Sequence, residues 1–197
     1  MPNISGQTYG LSVLTPIITG READLQKYLE ALPTGTASPL EKTCSTHLAR
    51  WVIIPQLVYE GPPQKHDRLQ SQYLLFESSF DGADLDAYLE MLCRQIPDTL
   101  DAVWGCCVGY PGMSDISRFK DYIRHNQIEC TFFVAAYAEA TVQDVRDALA
   151  LREQFTAFAI AAQRQNAAAL KRLFDATFSS ADRPRAQRDP NPRGKGE

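Results

Sequence analysis

Two stretches of this chain predict strands that are apolar on both faces. Residues 51–54 read WVII and residues 74–76 read LLF. Successive side chains of a strand point to opposite faces of its sheet, so these runs place apolar groups on both faces. Large apolar patches are rarely left exposed on soluble monomers. The sequence therefore predicts a sheet that is covered twice, once by its own helices and once by further chain or by a second subunit.

Hydrophobic periodicity predicts alternating strands and helices in the first 110 residues. The predicted strands cover residues 9–18, 46–54, 73–80 and about 102–110, and the predicted helices cover residues 21–32 and about 85–96, the second with Asp84 as its N-cap. The order β-α-β-β-α-β, with a hairpin between the middle strands, is typical of a ferredoxin-like α+β domain with an antiparallel sheet.

Residues 113–178 are the predicted second cover. A short helix is predicted over residues 116–123, a fifth strand over residues 128–136, a helix from Thr141, and a long or broken C-terminal helix over residues 156–178. This order suggests a partial second repeat, or material exchanged within a dimer. We expect a domain of residues 1–178 with a C-terminal helical extension. Residues 179–197 contain three prolines and two glycines and are predicted to be a disordered tail.

Composition argues against several classes of protein. The 197 residues include 20 basic and 24 acidic side chains, so no general positive charge attracts nucleic acid. No run of about 20 apolar residues predicts a membrane span, and no secretory signal is recognisable, so we expect a cytoplasmic protein. The five cysteines lack C-x-x-C spacing and are expected to be free thiols, with no metal site. The P-loop, dinucleotide-fold and hydrolase-elbow motifs are missing as well.

Three polar residues near the predicted sheet are candidates for catalysis. His47 is expected to share a strand face with Trp51, where it serves as an axial ligand, as a general base or as a hydrogen-bonded core side chain. Arg50 keeps its charge in an otherwise apolar strand, so it needs either an ion pair with Glu77 or the carboxylate of a ligand. Asp81 lies in an F-D-G turn, where such a residue normally caps the following helix.

Aromatic residues complete the candidate site. Trp51 lies four positions after His47, and Tyr110 ends the predicted fourth strand, where an amphipathic side chain suits the rim of a pocket. We therefore predict His47, Trp51 and Tyr110 as cofactor-binding residues.

Four segments together resemble an uncharacterised bacterial family of the dimeric α/β-barrel, ferredoxin-like superfamily. They are YGLSVLTPIITGREADLQKYL, THLARWVII, YLLFESSFDGADLDAYLEML and LDAVWGCCVGYPG, and the resemblance covers about residues 9–155. The superfamily includes antibiotic-biosynthesis monooxygenases, chlorite dismutase-like proteins and dye-decolourising peroxidases. The F-D-G of residues 80–82 is similar to the distal motif of the peroxidases, with Ser78 in place of its first glycine. The resemblance implies a dimer and makes haem a possible cofactor.

Two functions follow from these observations. The first is an oxidoreductase of monooxygenase or peroxidase type that binds a small molecule, with His47, Arg50 and Asp81 as its catalytic residues. The alternative is a non-enzymatic dimeric protein that binds a partner or serves as a scaffold. In the alternative, Arg50 pairs with Glu77, His47 is enclosed, and no cavity lies beside them.

Overall fold

A computed structural model of the chain describes residues 2–58, 61–63 and 69–178. Within these residues the chain is α+β, with one open antiparallel sheet of five strands and six α-helices. It divides into two compact units, Met1–Val142 and Gln143–Glu197. The predicted tail, residues 179–197, lies outside the described residues.

The elements follow one another with short connections. The strands are β1 (Ile4–Ser5), β2 (Thr8–Pro16), β3 (Thr46–Ile54), β4 (Tyr73–Asp81) and β5 (Gln127–Ile128). The helices are α1 (Glu22–Ala31), α2 (Leu85–Gln95), α3 (Pro97–Trp104), α4 (Ile116–His125), α5 (Val142–Ala162) and α6 (Ala167–Thr177), and two 3-10 turns, Gly35–Ala37 and Pro39–Thr43, precede β3. The predicted strands β2, β3 and β4 and the predicted helices α1, α2 and α4 are confirmed.

Strand β2 organises the sheet. It pairs with β4 on one side and with both β1 and β5 on the other, and β3 pairs with β4 at the open edge. In this register Val13, Phe76 and Trp51 lie side by side. They belong to the inner face of the sheet, which carries the buried alternate residues of β2 and β4. The outer face carries the residues between them, such as Leu75 and Glu77.

The hydrophobic core lies between the inner face and the helices. The ring of Phe76 contacts the ring of Trp104 from α3, with centroids 5.3 Å apart, and Trp104 contacts Phe119 of α4 at 5.8 Å. Both contacts are edge-to-face, an arrangement that aromatic rings favour. Leu89 and Leu92 of α2 are buried in the same cluster. The predicted cover of the sheet by its own helices is present on this face.

Local signals explain where the helices begin. The Asp84 carboxylate accepts hydrogen bonds from the N–H groups of Asp86 and Ala87, so this predicted N-cap is confirmed.

The predicted fourth strand, residues 102–110, is wrong. Pro97 occupies the first turn of a helix, where its missing N–H costs nothing, and α3 continues to Trp104. Of residues 105–110, only Cys107 forms a β-bridge, and its partner is Ile17.

The predicted fifth strand is also mostly wrong. Pairing with β2 stops at Ile128, and the chain then runs as an irregular segment. This segment is tied to the start of the chain, because the Cys130 N–H donates to the Asn3 side chain at 2.7 Å. A Cβ atom at Gly10 would lie 2.7 Å from the Phe133 ring, so only glycine fits there. Further chain therefore covers one end of the outer face.

The second unit contains most of α5 and all of α6. The predicted C-terminal helix is broken, because α5 ends at Ala162 and Arg164 adopts a left-handed conformation with φ of 65°. The Asn166 side chain then accepts the N–H of Ala169 and caps α6. Phe158 of α5 contacts Phe174 of α6, with ring centroids 5.9 Å apart. We call this pair of helices, residues 143–178, the C-terminal hairpin.

Candidate functional site

The three predicted catalytic residues lie on the outer face, at the β3–β4 edge of the sheet, but in two separate pairs: His47 with Asp81, and Arg50 with Glu77. A register shift between Thr46 and Leu48 makes a bulge at His47. An extra residue in a strand reverses the alternation that follows, so His47 does not share the face of Trp51. That part of the prediction is wrong. His47 instead reaches Asp81, which follows the inner-face residue Phe80 and so points outward.

His47 and Asp81 form a close polar pair. The Nε2 atom of His47 lies 2.7 Å from Oδ1 of Asp81, and both side chains are largely buried. The same carboxylate accepts the backbone N–H of Val142, at 3.2 Å from Oδ1 and 3.0 Å from Oδ2. The predicted role of Asp81 as the cap of the next helix is therefore wrong, because Asp84 fills it. The Asp81 carboxylate orients the imidazole through its Nε2 atom.

Arg50 and Glu77 form a cross-strand ion pair on the same face. They are directly opposite in the β3–β4 register, and both Nε and a terminal nitrogen of Arg50 contact Oε2 of Glu77. Of the two alternatives that the sequence leaves open for Arg50, the ion pair is the one present. Its guanidinium already has a carboxylate partner and needs none from a ligand.

The predicted cofactor residues do not form one pocket. Trp51 lies on the inner face, against Phe76 and Trp104, on the opposite side of the sheet from His47. The Tyr110 hydroxyl donates to the Asp101 carboxylate at 2.6 Å. The pKa of Tyr110 is raised, mainly because the hydroxyl is buried and secondly because the negative charge of Asp101 is close to it. The ring of Phe119 lies between Tyr110 and Trp104. These residues do not fit a single haem pocket.

Neither of two clefts on the described surface is lined by His47, Arg50 or Asp81. One has a volume of about 650 Å³ and lies along α4, where Arg118, Tyr122 and His125 line it together with Val108 and Gly109. The spacing i, i+4, i+7 of the three α4 residues places them on one helix face. The same spacing in the sequence is the signal from which this polar helix face can be predicted. The second cleft, of about 400 Å³, is lined by residues of α1 and the end of β3.

The described residues contain neither a metal-binding cluster nor a membrane-spanning helix. No group of three or more His, Cys, Asp or Glu side chains there could hold a metal ion. None of the helices described is long and apolar enough to cross a membrane.

The thiols are free, as predicted. Cys93 and Cys107 are buried, and burial raises the pKa of each to about 11. The Thr15 hydroxyl donates to the sulfur of Cys107 at 3.3 Å. Cys44 is exposed. The thiols of Cys93 and Cys107 therefore remain protonated at neutral pH, which makes them poor nucleophiles.

Comparison with known proteins adds no assignment. No family model matches the sequence, and neither the curated proteins nor the solved structures give a significant match.

Proposed function

We propose that this chain is a non-enzymatic, homodimeric binding or scaffold protein of the ferredoxin-like class, and that the outer face of its sheet pairs with the same face of a second copy. The observation that carries this proposal is the apolar surface left on that face. Leu48 is 76% exposed and Val52 is 38% exposed, although both lie within a regular strand.

The arrangement of charge on the outer face supports pairing with an identical surface. Leu48 and Val52 flank Arg50 along β3, and Arg50 is neutralised by Glu77 within the same chain. The face therefore presents apolar groups around a neutral ion pair. Such a surface does not repel its own copy, and two-fold interfaces bring identical patches together.

The chain order supports the ferredoxin-like part of the proposal. The elements β2, α1, β3, β4 and α2 follow one another in the expected order, and β5 lies beside β2. β5 has only two residues, however, and three helices rather than one separate it from β4. The assignment to this class is therefore tested best by an experimental structure of the dimer.

Sedimentation velocity on the full chain tests the dimer. We expect the wild type to dimerise, and Val52→Glu to raise the dissociation constant at least about tenfold, because each copy then buries a carboxylate beside Glu77. Leu57→Glu is the matched control, since Leu57 is 55% exposed but lies outside the strands. A wild type that is monomeric at every concentration, or a Val52→Glu variant that self-associates to the same extent as the wild type, contradicts the proposal.

The His47–Asp81 pair favours a second candidate, an oxidoreductase of monooxygenase type. An imidazole held by a carboxylate, as in His47, is a common general base. The absorption spectrum of the isolated protein tests for a bound chromophore. An oxidative activity that is lost in His47→Ala but kept in His125→Ala would support this candidate, and equal activity in both variants would count against it.

A further inference from the structure

The C-terminal hairpin is a helical unit without a core of its own. None of the residues from 143 to 178 is buried, and each is at least partly exposed to solvent. α6 has 11 residues, a length at which an isolated helix is marginally stable in water, and most helices in proteins are stabilised by packing an apolar face. The aromatic contacts between α5 and α6 are therefore only part of what these helices need to bury.

The apolar surface of the hairpin is concentrated along the line where its two helices meet. We call this line the aromatic seam, and define it by six residues: Leu151, Phe155, Phe158, Leu170, Phe174 and Phe178. Ring contacts make it continuous, since Phe158 lies within 6.2 Å of Phe155, 5.9 Å of Phe174 and 5.2 Å of Phe178, measured between centroids. The Gln154 side chain also donates to the carbonyl of Thr177 at 2.8 Å, which joins the helices beside the seam.

Part of the seam is exposed on both helices. Phe155 is 58% exposed and Phe174 is 51% exposed. Leu151 lies one helical turn before Phe155 in α5, and Leu170 lies one turn before Phe174 in α6. Aromatic side chains in a contiguous patch are the residues that most often dominate protein interfaces.

From these observations we infer that the aromatic seam is a second self-association surface, which packs against the seam of another copy of this chain to form a four-helix arrangement. This contact is separate from the outer face of the sheet and does not depend on it.

Charge and area favour a second copy as the occupant. Residues 143–178 contain five basic and four acidic side chains, and the resulting net charge of +1 is too small to select a nucleic acid or a strongly charged protein. The exposed part of the seam is on the order of 300 Å² per copy, from the size of large apolar side chains. With the usual share of polar atoms, two copies would bury about 1,000 Å² in total, the lower limit for a specific interface.

Sedimentation velocity on the full chain, carried out in parallel with the sheet variants, tests this inference. Phe155→Glu is expected to weaken self-association at least about tenfold relative to wild type. Ile160→Glu is the matched control, because Ile160 is 67% exposed on the same helix but lies on the side away from Phe158.

Hydrogen exchange distinguishes a second copy from an occupant within the same chain. If two seams pack together, protection of the α5 amides from Leu151 to Phe158 falls as the wild-type protein is diluted, and it is already low in Phe155→Glu. Protection that does not change with concentration would show that another part of the same chain covers the seam, and would overturn the inference.

The two proposed interfaces can fail separately. If both interfaces exist, Val52→Glu and Phe155→Glu each form smaller assemblies than the wild type and still form a dimer through the remaining surface. A Phe155→Glu variant that assembles like the wild type, with a Val52→Glu variant that becomes monomeric, would overturn the seam and leave the sheet dimer standing. The reverse result would overturn the sheet dimer and leave the seam. A monomeric wild type would overturn both.

Discussion

Both faces of the sheet carry large apolar side chains, but the surroundings of the two faces differ. Leu74 and Leu75 are neighbours in β4, yet Leu74 is buried on the inner face while Leu75 is only partly buried on the outer face. Helices α2, α3 and α4 supply the side chains that cover the inner face. The outer face has the segment around Phe133 at one end and exposed apolar groups at the β3–β4 edge. Apolar content alone therefore does not show which face forms the core.

The largest effect that tests this difference comes from Leu74→Ala. We expect a loss of about 2–5 kcal/mol in the free energy of unfolding, because the substitution leaves a cavity in a packed core. Leu75→Ala is the matched variant on the outer face and should cost about 1 kcal/mol, since less apolar area is lost. Urea denaturation of the two variants measures both values. Equal losses would show that the faces are packed alike.

The polar pair on the outer face should have the next largest effect. Asp81→Ala removes the acceptor for both His47 and the N–H of Val142, and we expect it to cost about 1.5–3 kcal/mol. Asp84→Ala removes only a helix cap and should cost about 1 kcal/mol. If Asp81→Ala unfolds at the same urea concentration as the wild type, the carboxylate contributes nothing to the fold.

The buried thiols should make stability depend on pH in the alkaline range. Burial raises the pKa of Cys93 and of Cys107 from the ordinary 9.0 to about 11, so the folded state holds these protons more tightly than the unfolded state. Their contribution to stability is complete below pH 9 and is lost as the pH rises towards 11. Denaturation at several pH values should show this fall.

Thiol variants provide the control for that measurement. In a Cys93→Ala, Cys107→Ala double variant the fall between pH 9 and 11 should be smaller than in the wild type. Cys44→Ala should leave the fall unchanged, because Cys44 is exposed. An identical pH dependence in all three proteins would assign it to other groups.

The smallest effect is expected for the Arg50–Glu77 pair. A double-mutant cycle with Arg50→Ala and Glu77→Ala should give a coupling energy of about 0.2–1 kcal/mol, because the Arg50 side chain is largely exposed to water. A coupling of several kcal/mol would mean that the pair is buried in solution. That result would itself favour a covered outer face.

Periodicity predicted the elements whose local signals agree with their packing. β3 was expected at residues 46–54 and is found at Thr46–Ile54, and Asp84 caps α2 as expected. It failed at residues 102–110, where β-favouring residues such as Val103 and Trp104 belong to a helix. Short apolar runs suit a buried helix as well as a strand, so periodicity alone does not separate the two.

The candidate site was predicted in its members but not in its arrangement. His47 contacts Asp81 and Arg50 pairs with Glu77, but the expected grouping of His47 with Trp51 failed because one bulge moves His47 to the other face. A bulge depends on the pairing of two strands, which a single strand sequence does not reveal. The partner of Asp81 at Val142 is 61 residues away and has no local signal.

The sequence by itself determined the class of structure, α+β with an antiparallel sheet, because alternation and helical spacing are properties of short segments. It also determined that apolar side chains occur on both faces of β3 and β4. Only the tertiary structure decided which face the helices cover, where His47 points and which apolar side chains remain exposed. Those outcomes depend on contacts between residues far apart in the chain, whose energies no local pattern contains.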